Sequence, residues 1–307
     1  PKGMSKIKFT AVELCAGAGG QAIGLEKAYF KMHTAIEIDP DACSTLKFNR
    51  PKWNVTEGDL RQFSAVNLKG IDLLAGGVPC PPFSIAGKQL GADDDRDLFP
   101  EAIRLVKEIN PKAVMFENVR GFSKSKFDLY RNSLMKKLND LGYKSGWRIL
   151  NASEFGLPQL RPRFILVAVK KSFSKYFAWP KGSECKTTVG DLLGDLMSSK
   201  EWKYSDHWIE TANGIGPTIV GGSKKHGGAD LGPTRAKKQW AALGVDGRGI
   251  ADSPPNKRHP KSKLPRLTLE MAARLQGFPE DFKIVVSDAQ AYRQFGNAVP
   301  VNVIRAL

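Results

Sequence analysis

The sequence predicts an α/β fold: a doubly wound, mostly parallel sheet of Rossmann-like type, with a second, smaller irregular domain. Three observations predict it. Short apolar runs alternate with helix-spaced segments as far as about Val169, the pattern of βαβ units. A glycine-rich turn, Cys15-Ala16-Gly17-Ala18-Gly19-Gly20, follows the first run. Acidic residues, Glu37 and Asp59, then stand at the ends of the second and third.

The elements follow in order. Lys8 to Leu14 reads as the first strand, and the helix after the turn carries Ile23, Leu25 and Ala28 at near-helical spacing. His33 to Ile38 reads as a second strand. Asp39 or Asp41 can cap the helix Ala42 to Phe48, because a side-chain oxygen there accepts an orphaned first-turn N–H. Val55 to Asp59 is a short third strand with its exit, and Ile71 to Ala75 is a fourth. A helix from Leu98 to Ile109 leads to a fifth, Ala113 to Phe116. A helix near Phe127 to Leu141 precedes strands Gly146 to Leu150 and Phe164 to Val169.

Beyond Val169 the pattern changes. Lys181 to Lys263 is rich in Gly, Pro and Lys, and reads as surface loops on a small core anchored by Trp202, Trp208, Trp240 and Ile219-Val220. Helical pattern resumes from Leu267 through Leu275, and the chain closes with Gln294-Phe295-Gly296-Asn297-Ala298-Val299-Pro300 and a final helix. That helix stops at Leu307 as though trimmed or followed by a disordered tail, and Pro1-Lys2-Gly3 ahead of Met4 reads as a tag remnant. The expected domains are 4–175 with 285–307, and 176–284.

With 307 residues, 41% hydrophobic and 25% charged, the chain has the composition of a soluble globular protein. No apolar run approaches the ~20 residues of a membrane span, and no signal-peptide pattern is present. The four cysteines (15, 43, 80, 185) form no CxxC pair, which argues against a metal site or disulfide framework and for a reducing, cytoplasmic setting. A formal net charge of +16 points to a polyanionic partner.

Gly17, Gly19 and Gly20 let backbone amides approach a ligand at a helix N-terminus. Glu37 is placed to bind ribose hydroxyls and Asp59 to accept from an adenine amino group. Together they imply an adenosine-containing cofactor, with NAD and S-adenosylmethionine (AdoMet) both open. After the fourth strand comes Gly76-Gly77-Val78-Pro79-Cys80-Pro81-Pro82-Phe83-Ser84. Three prolines stiffen the surroundings of one thiol, which is then either a held nucleophile or a buried structural cysteine. Glu117 ends the fifth strand and can share a crevice with Cys80. Alternation through Gln159-Leu160-Arg161-Pro162-Arg163 places Gln159, Arg161 and Arg163 on one side, suited to an anionic or carbonyl-bearing substrate.

Taken in this order, the blocks Glu13–Gly20, Glu37-Ile38-Asp39, Gly58-Asp59, Gly77–Ser84, Glu117-Asn118-Val119, Gln159–Arg163, Arg266-Leu267-Thr268, Arg274–Pro279 and Gln294–Pro300 resemble the DNA (cytosine-5)-methyltransferase family. The resemblance covers most of the chain except the middle region, and implies a bacterial, restriction-modification type enzyme. It implies that a Cys80 thiolate adds to cytosine C6, that Glu117 contacts N3 and the exocyclic amine, and that Arg163 with Arg161 orients the base. Asn118 and Gln159 would support loops. AdoMet would be held by Cys15, Ala16, Gly17, Gly19, Gly20, Glu37, Ile38, Asp59, Leu60 and Pro79, with Asn297 and Val299 closing the pocket. Many family members carry Phe in place of Cys15 and an aromatic in place of Ile38, so weaker or differently packed cofactor binding is expected.

The target cytosine must be flipped out of double-stranded DNA. Residues 176–284 would then be the target-recognition domain, with Thr218-Ile219 resembling a Thr-aliphatic pair found in such domains. Lys224, Lys225, Arg235, Lys237 and Lys238 are expected at phosphates. Ser84 and Gln89 belong to a loop, Ser84 to Arg96, expected to close over the flipped base. The enzyme is expected to act as a monomer in the bacterial cytoplasm, at the nucleoid through its DNA, with a cognate endonuclease as a genetic rather than physical partner. A tRNA cytosine-5 methyltransferase is the alternative enzyme, and the long Gly/Lys-rich middle region favours DNA. A catalytically silent DNA-binding relative is disfavoured by intact Cys80, Glu117 and Arg163. A nicotinamide oxidoreductase would need a hydride-transfer His or Lys, and none is apparent.

Overall fold

The computed structural model describes residues 9–79, 97–221 and 229–307. The chain divides into two compact units, 1–150 with 162–180 and Leu307, and 151–161 with 181–306. This differs from the expected boundaries. The segment 285–306 groups with the second unit, and so does 151–161.

The first part of the chain runs β1 (Thr10–Leu14), α1 (Gly20–Lys27), β2 (Lys31–Glu37), α2 (Pro40–Asn49), β3 (Asn54–Glu57) and β4 (Leu73–Gly76). It continues with α3 (Phe99–Ile109), β5 (Ala113–Val119), α4 (Asp128–Asp140) and β6 (Tyr143–Asn151), then β7 (Gln159–Leu160) and β8 (Pro162–Lys170). Seven of these strands form one sheet in the order β3-β2-β1-β4-β5-β8-β6. β1 lies parallel between β2 and β4, β3 extends β2, and β5 extends β4, all in parallel. The strand order therefore reverses at β1, the kind of switch point where such sheets open a crevice at the carboxyl ends of their strands. β8 runs antiparallel to β5, with Val119 opposite Arg163 and Glu117 opposite Ile165. That reversal brings the start of β8 to the end of β5.

Strand alternation divides the sheet into two faces. Val12, Leu14, Leu74, Val114 and Phe116 join the main core with Phe99, Leu105, Leu134 and Leu138 of α3 and α4. Helix ends obey local rules. Asp39 caps α2 by accepting from Asp41 N–H at 3.0 Å, with Pro40 following. Asp97 Oδ1 accepts from Phe99 N–H at 3.0 Å at the start of α3.

The second unit holds α5 (Val189–Ser198), α6 (Ser205–Thr211), β9 (Gly216–Pro217), α7 (Thr234–Ala242), α8 (Leu269–Leu275), α9 (Asp288–Asn297) and α10 (Val301–Ala306). Its core contains Trp202, Trp208, Trp240 and Ile219, while Val220 is exposed. Helices α5, α6 and α7 occupy a region read as loops. Thr188 caps α5, exchanging hydrogen bonds with Asp191 at 3.1 and 2.9 Å. The glycines that looked like loop punctuation are packing residues: a Cβ at Gly190 would lie 2.4 Å from the Ile209 carbonyl oxygen, and one at Gly194 2.7 Å from the Ile209 side chain.

This contact sets a stability test. Gly190→Ala should destabilise the protein by about 1–3 kcal/mol through overpacking, read as a lowered urea midpoint. An unchanged midpoint would contradict the close approach of α5 and α6.

Candidate active site

The turn after β1 is held by one carboxylate. Glu37, the last residue of β2, is buried. Its Oε2 accepts from Gly17 N–H at 2.6 Å, and its Oε1 accepts from Ile38 and Asp39 N–H at 2.9 Å each. Cys15, Gly17 and Gly19 all adopt left-handed backbone, with φ of 53°, 52° and 90°. A Cβ at Gly17 would meet nothing within 4 Å, so an open cradle lies beside the turn. One at Gly19 would lie 2.6 Å from Leu46 Cδ2, so glycine there serves packing. The first turn of α1 has no acidic residue and no side-chain cap, which leaves its amide dipoles available to a ligand.

Two further strand ends, those of β4 and β5, join this edge in the same unit. Glu13 is paired with Ala75 and Ala75 with Met115, so Glu13, Cys15, Gly77 and Glu117 follow one face by alternation. Glu13 is fully enclosed, and burial first, then the charge of Glu37, holds its carboxyl well above the ordinary range. Its Oε2 has no hydrogen-bond partner among the described residues, and neither do the amide oxygen and nitrogen of buried Gln21. Burial, reinforced by Glu37, also pushes the Cys15 thiol up to about 12, and the same causes push Cys43 up to about 11. Neither is a thiolate at neutral pH. Cys80, the expected nucleophile, lies outside the described residues.

Glu117 and Arg163 are diagonal neighbours across β5 and β8, with Arg163 Nε 3.1 Å from Glu117 Oε1 but off the hydrogen-bonding direction. Gly77 lies against the other carboxylate oxygen, which a Cβ would approach to 3.3 Å. Asn118 donates from Nδ2 to Val78 O at 2.9 Å and accepts from Val119 N–H at 2.8 Å, the loop support expected of it. Pro79 is exposed, and its carbonyl accepts from Leu98 N–H at 3.3 Å.

The remaining positions expected at the cofactor differ in exposure. Ala16 is buried, whereas Ile38 is 64% exposed beside the turn. Asp59 accepts from Arg61 N–H and Nη1 at 2.9 Å each, the backbone bond being the main cause that lowers its carboxyl below the usual range. Leu60 is buried.

In the second unit, Gln159 and Arg161 do not share the role of Arg163. Gln159 Nε2 donates to Leu275 O at 2.9 Å and Gln276 Oε1 at 3.0 Å, while its Oε1 accepts from Ile219 N–H at 3.0 Å. The buried Arg161 guanidinium donates to Ile219 O, to Gly296 O at 2.6 Å and to Ala298 O at 2.9 Å. Arg161, expected to orient a base, has donors on backbone carbonyls of the second unit. Gln276, missed by the sequence reading, donates to Phe295 O at 2.6 Å and Ala298 O at 3.3 Å in the same knot. Asn297 ends α9, exposed, with its Oδ1 beside Gly221, and Val299 is buried. A Cβ at Gly296 would lie 2.4 Å from Gly221 Cα, so these two backbones touch.

Of the expected DNA contacts, Thr218 donates its hydroxyl to Leu160 O. Lys237 pairs with Asp230 at 2.6 Å, so its charge is partly neutralised. Arg235 and Lys238 are exposed on α7. Ser84, Gln89, Lys224 and Lys225 lie outside the described residues. Glu13 was also missed as a site residue. Its signal was a carboxylate inside the otherwise apolar run Ala11-Val12-Glu13-Leu14.

A family model described as C-5 cytosine-specific DNA methylase matches residues 9–307. The chain is 53% identical over 300 residues to the Type II methyltransferase M.NaeI of Lentzea aerocolonigenes, across 96% of this chain and 73% of that protein. It is 49% identical over 305 residues to the Type II methyltransferase M.NgoMIV of Neisseria gonorrhoeae, across 98% of this chain and 96% of that protein. A solved Spodoptera frugiperda DNMT2 mutant matches with a TM-score of 0.69 at 19% identity, over 97% of this chain and 98% of that one, a likeness of fold.

Glu13 yields a pH test. Its raised folded value means that its contribution to stability is full below the unfolded value of about 4.3 and is lost as pH rises toward the folded value. In Glu13→Gln that loss is absent, so the unfolding free energy of the variant minus wild type should increase with pH from about 4.3 upward. A flat difference would show that Glu13 is not held protonated.

Proposed function

The chain belongs to the C-5 cytosine-specific DNA methylase family and is a DNA cytosine-5 methyltransferase; from that premise we propose how its residues divide the work. The observation that carries the proposal is one edge of one sheet. There the Gly17–Glu37 turn at β1 and β2 and the Glu117–Arg163 pair at β5 and β8 stand on either side of the end of β4.

AdoMet fits the turn. The open cradle at Gly17, the uncapped start of α1 and the orphaned polar atoms of Glu13 and Gln21 suit a polar, charged ligand tail. Glu37 keeps carboxylate lone pairs for ribose hydroxyls beyond its backbone amides, and Asp59 stands ready for the adenine amino group. Bound there, the cofactor supplies an electrophilic methyl group.

The target cytosine leaves the duplex, since its C6 is not accessible within the stack. Cys80 then adds as thiolate to C6, making C5 nucleophilic. Glu117 meets N3 and the exocyclic amine, where a proton offsets the charge that addition places on the ring. Arg163 fixes Glu117 and contacts O2. After methylation, loss of the C5 proton and expulsion of the Cys80 sulfur restore the aromatic ring. The second unit reads the DNA, with Arg235 and Lys238 of α7 at phosphates. The enzyme works as a monomer in the cytoplasm of a bacterium, protecting DNA from a cognate endonuclease in a Type II restriction-modification pair.

The test is bisulfite sequencing of plasmid DNA treated with the protein and AdoMet, which should show one protected cytosine position in one short sequence. Methylated tRNA with untouched DNA would overturn the reading. Cys80→Ser should abolish turnover while duplex binding persists, and full methyl transfer by that variant would remove Cys80 from the chemistry. Glu117→Gln should lower kcat by about 10²–10⁴-fold, the range of general acid–base catalysis. A wild-type kcat would exclude Glu117 from proton transfer.

A further inference from the structure

A cavity of about 560 Å³ in the second unit carries charge that the methylation site does not use. It is lined along 250–266, where Pro254, Pro255, Pro260 and Pro265 stiffen the chain. The segment is tied down at several points. Ala251 N–H donates to Leu267 O at 2.9 Å, Asp246 N–H to Pro265 O at 2.8 Å, and Trp202 Nε1 to His259 O at 3.0 Å. The His259 ring nitrogen Nε2 lies 2.8 Å from the Lys263 carbonyl, so it is the nitrogen that donates.

Arg258, Lys263 and Arg266 line the cavity, with Asp252 as its acid. The other nearby carboxylates are engaged. Glu201 pairs with Lys257 at 2.6 Å, and the buried Asp246 pairs with Arg248 at 2.8 Å and Arg266 at 3.0 Å. The Arg248 hydrogen bond, with help from Arg266, keeps the Asp246 carboxyl well below the usual range, so it stays ionised. Asp246 thereby aims Arg266 across Gly249, where a Cβ would come within 2.9 Å of Nη1. Arg258 and Lys263 form no ion pair among the described residues. A proline-framed wall thus holds one oriented guanidinium beside two cations in no ion pair among the described residues, with Asp252 the one opposing charge of the lining.

We propose that this cavity is a clamp for a backbone phosphate of the DNA duplex, separate from the loops that read bases. The proposal rests on the assignment of the protein as a DNA methyltransferase. A fixed, proline-framed cation cluster contributes affinity and register without sequence information, because phosphates are the same at every step. With a net charge of +16, the chain already favours a polyanion.

The test is the combined variant Arg258→Ala with Lys263→Ala, with duplex affinity measured against salt concentration. Each phosphate neutralised contributes about 0.9 to the log–log slope, so loss of this one contact should make the slope shallower by about 0.9. Cognate and unrelated duplexes should weaken by the same factor. The thermal midpoint and AdoMet affinity report that the variant is folded, and Arg258→Lys with Lys263→Arg should restore the slope. An unchanged slope overturns the clamp, as does a loss confined to the cognate duplex, which would mean base reading. Inorganic phosphate at constant ionic strength separates a free anion from DNA. If wild type binds it, the variant does not and the duplex slope is unchanged, the cavity serves a small anion and the proposal falls. Wild-type protein that neither binds nor methylates DNA would instead sink the methyltransferase assignment itself.

Discussion

The carboxylate of Glu37 accepts three backbone amides, two from the chain that follows it and one from the turn after β1. Much else in the first unit depends on this. A turn with three left-handed residues in five has little intrinsic preference for one shape. A charged acceptor at the end of the adjacent strand selects one, since hydrogen bonds to an ionised group are the strong ones. The parallel register of β1 and β2 places donor and acceptor at the same level. The negative charge then shapes its surroundings: it helps to keep Glu13 and the Cys15 thiol protonated. Burial, and with it the same anion that holds the glycine turn, therefore keeps a nearby thiol protonated.

The short segment Gln159–Arg163 shows how three similar-looking residues divide by environment. Gln159 and Arg161 are enclosed and saturated by carbonyls and amides of the second unit, the way buried polar groups must be. Arg163 keeps its guanidinium at the edge of the main sheet, 3.1 Å from the Glu117 carboxylate. The break between β7 and β8 falls between these roles.

Much of this was legible in the sequence. Strands and helices of the main sheet follow from period and capping, which are local, and Glu37, Glu117 and the glycine turn follow from their places at strand ends. The tryptophan-anchored second core was also readable. What was not readable is non-local. Gly190 and Gly194 look like loop residues until Ile209 is packed on them, and Arg161 looks like a substrate contact until the carbonyls of Ile219, Gly296 and Ala298 surround it. Lys237 looks like a free cation until Asp230 meets it. Glu13 sat in plain view, but its protonation depends first on burial and then on Glu37, which is distant in sequence.

The touching backbones of Gly221 and Gly296 have a consequence for which sequences this joint accepts. A Cβ at Gly296 would lie 2.4 Å from Gly221 Cα, and one at Gly221 2.6 Å from the Arg293 carbonyl oxygen. Both positions are therefore closed to side chains by steric exclusion rather than by chemistry, and a single added methyl group at either would push two stretches of chain apart.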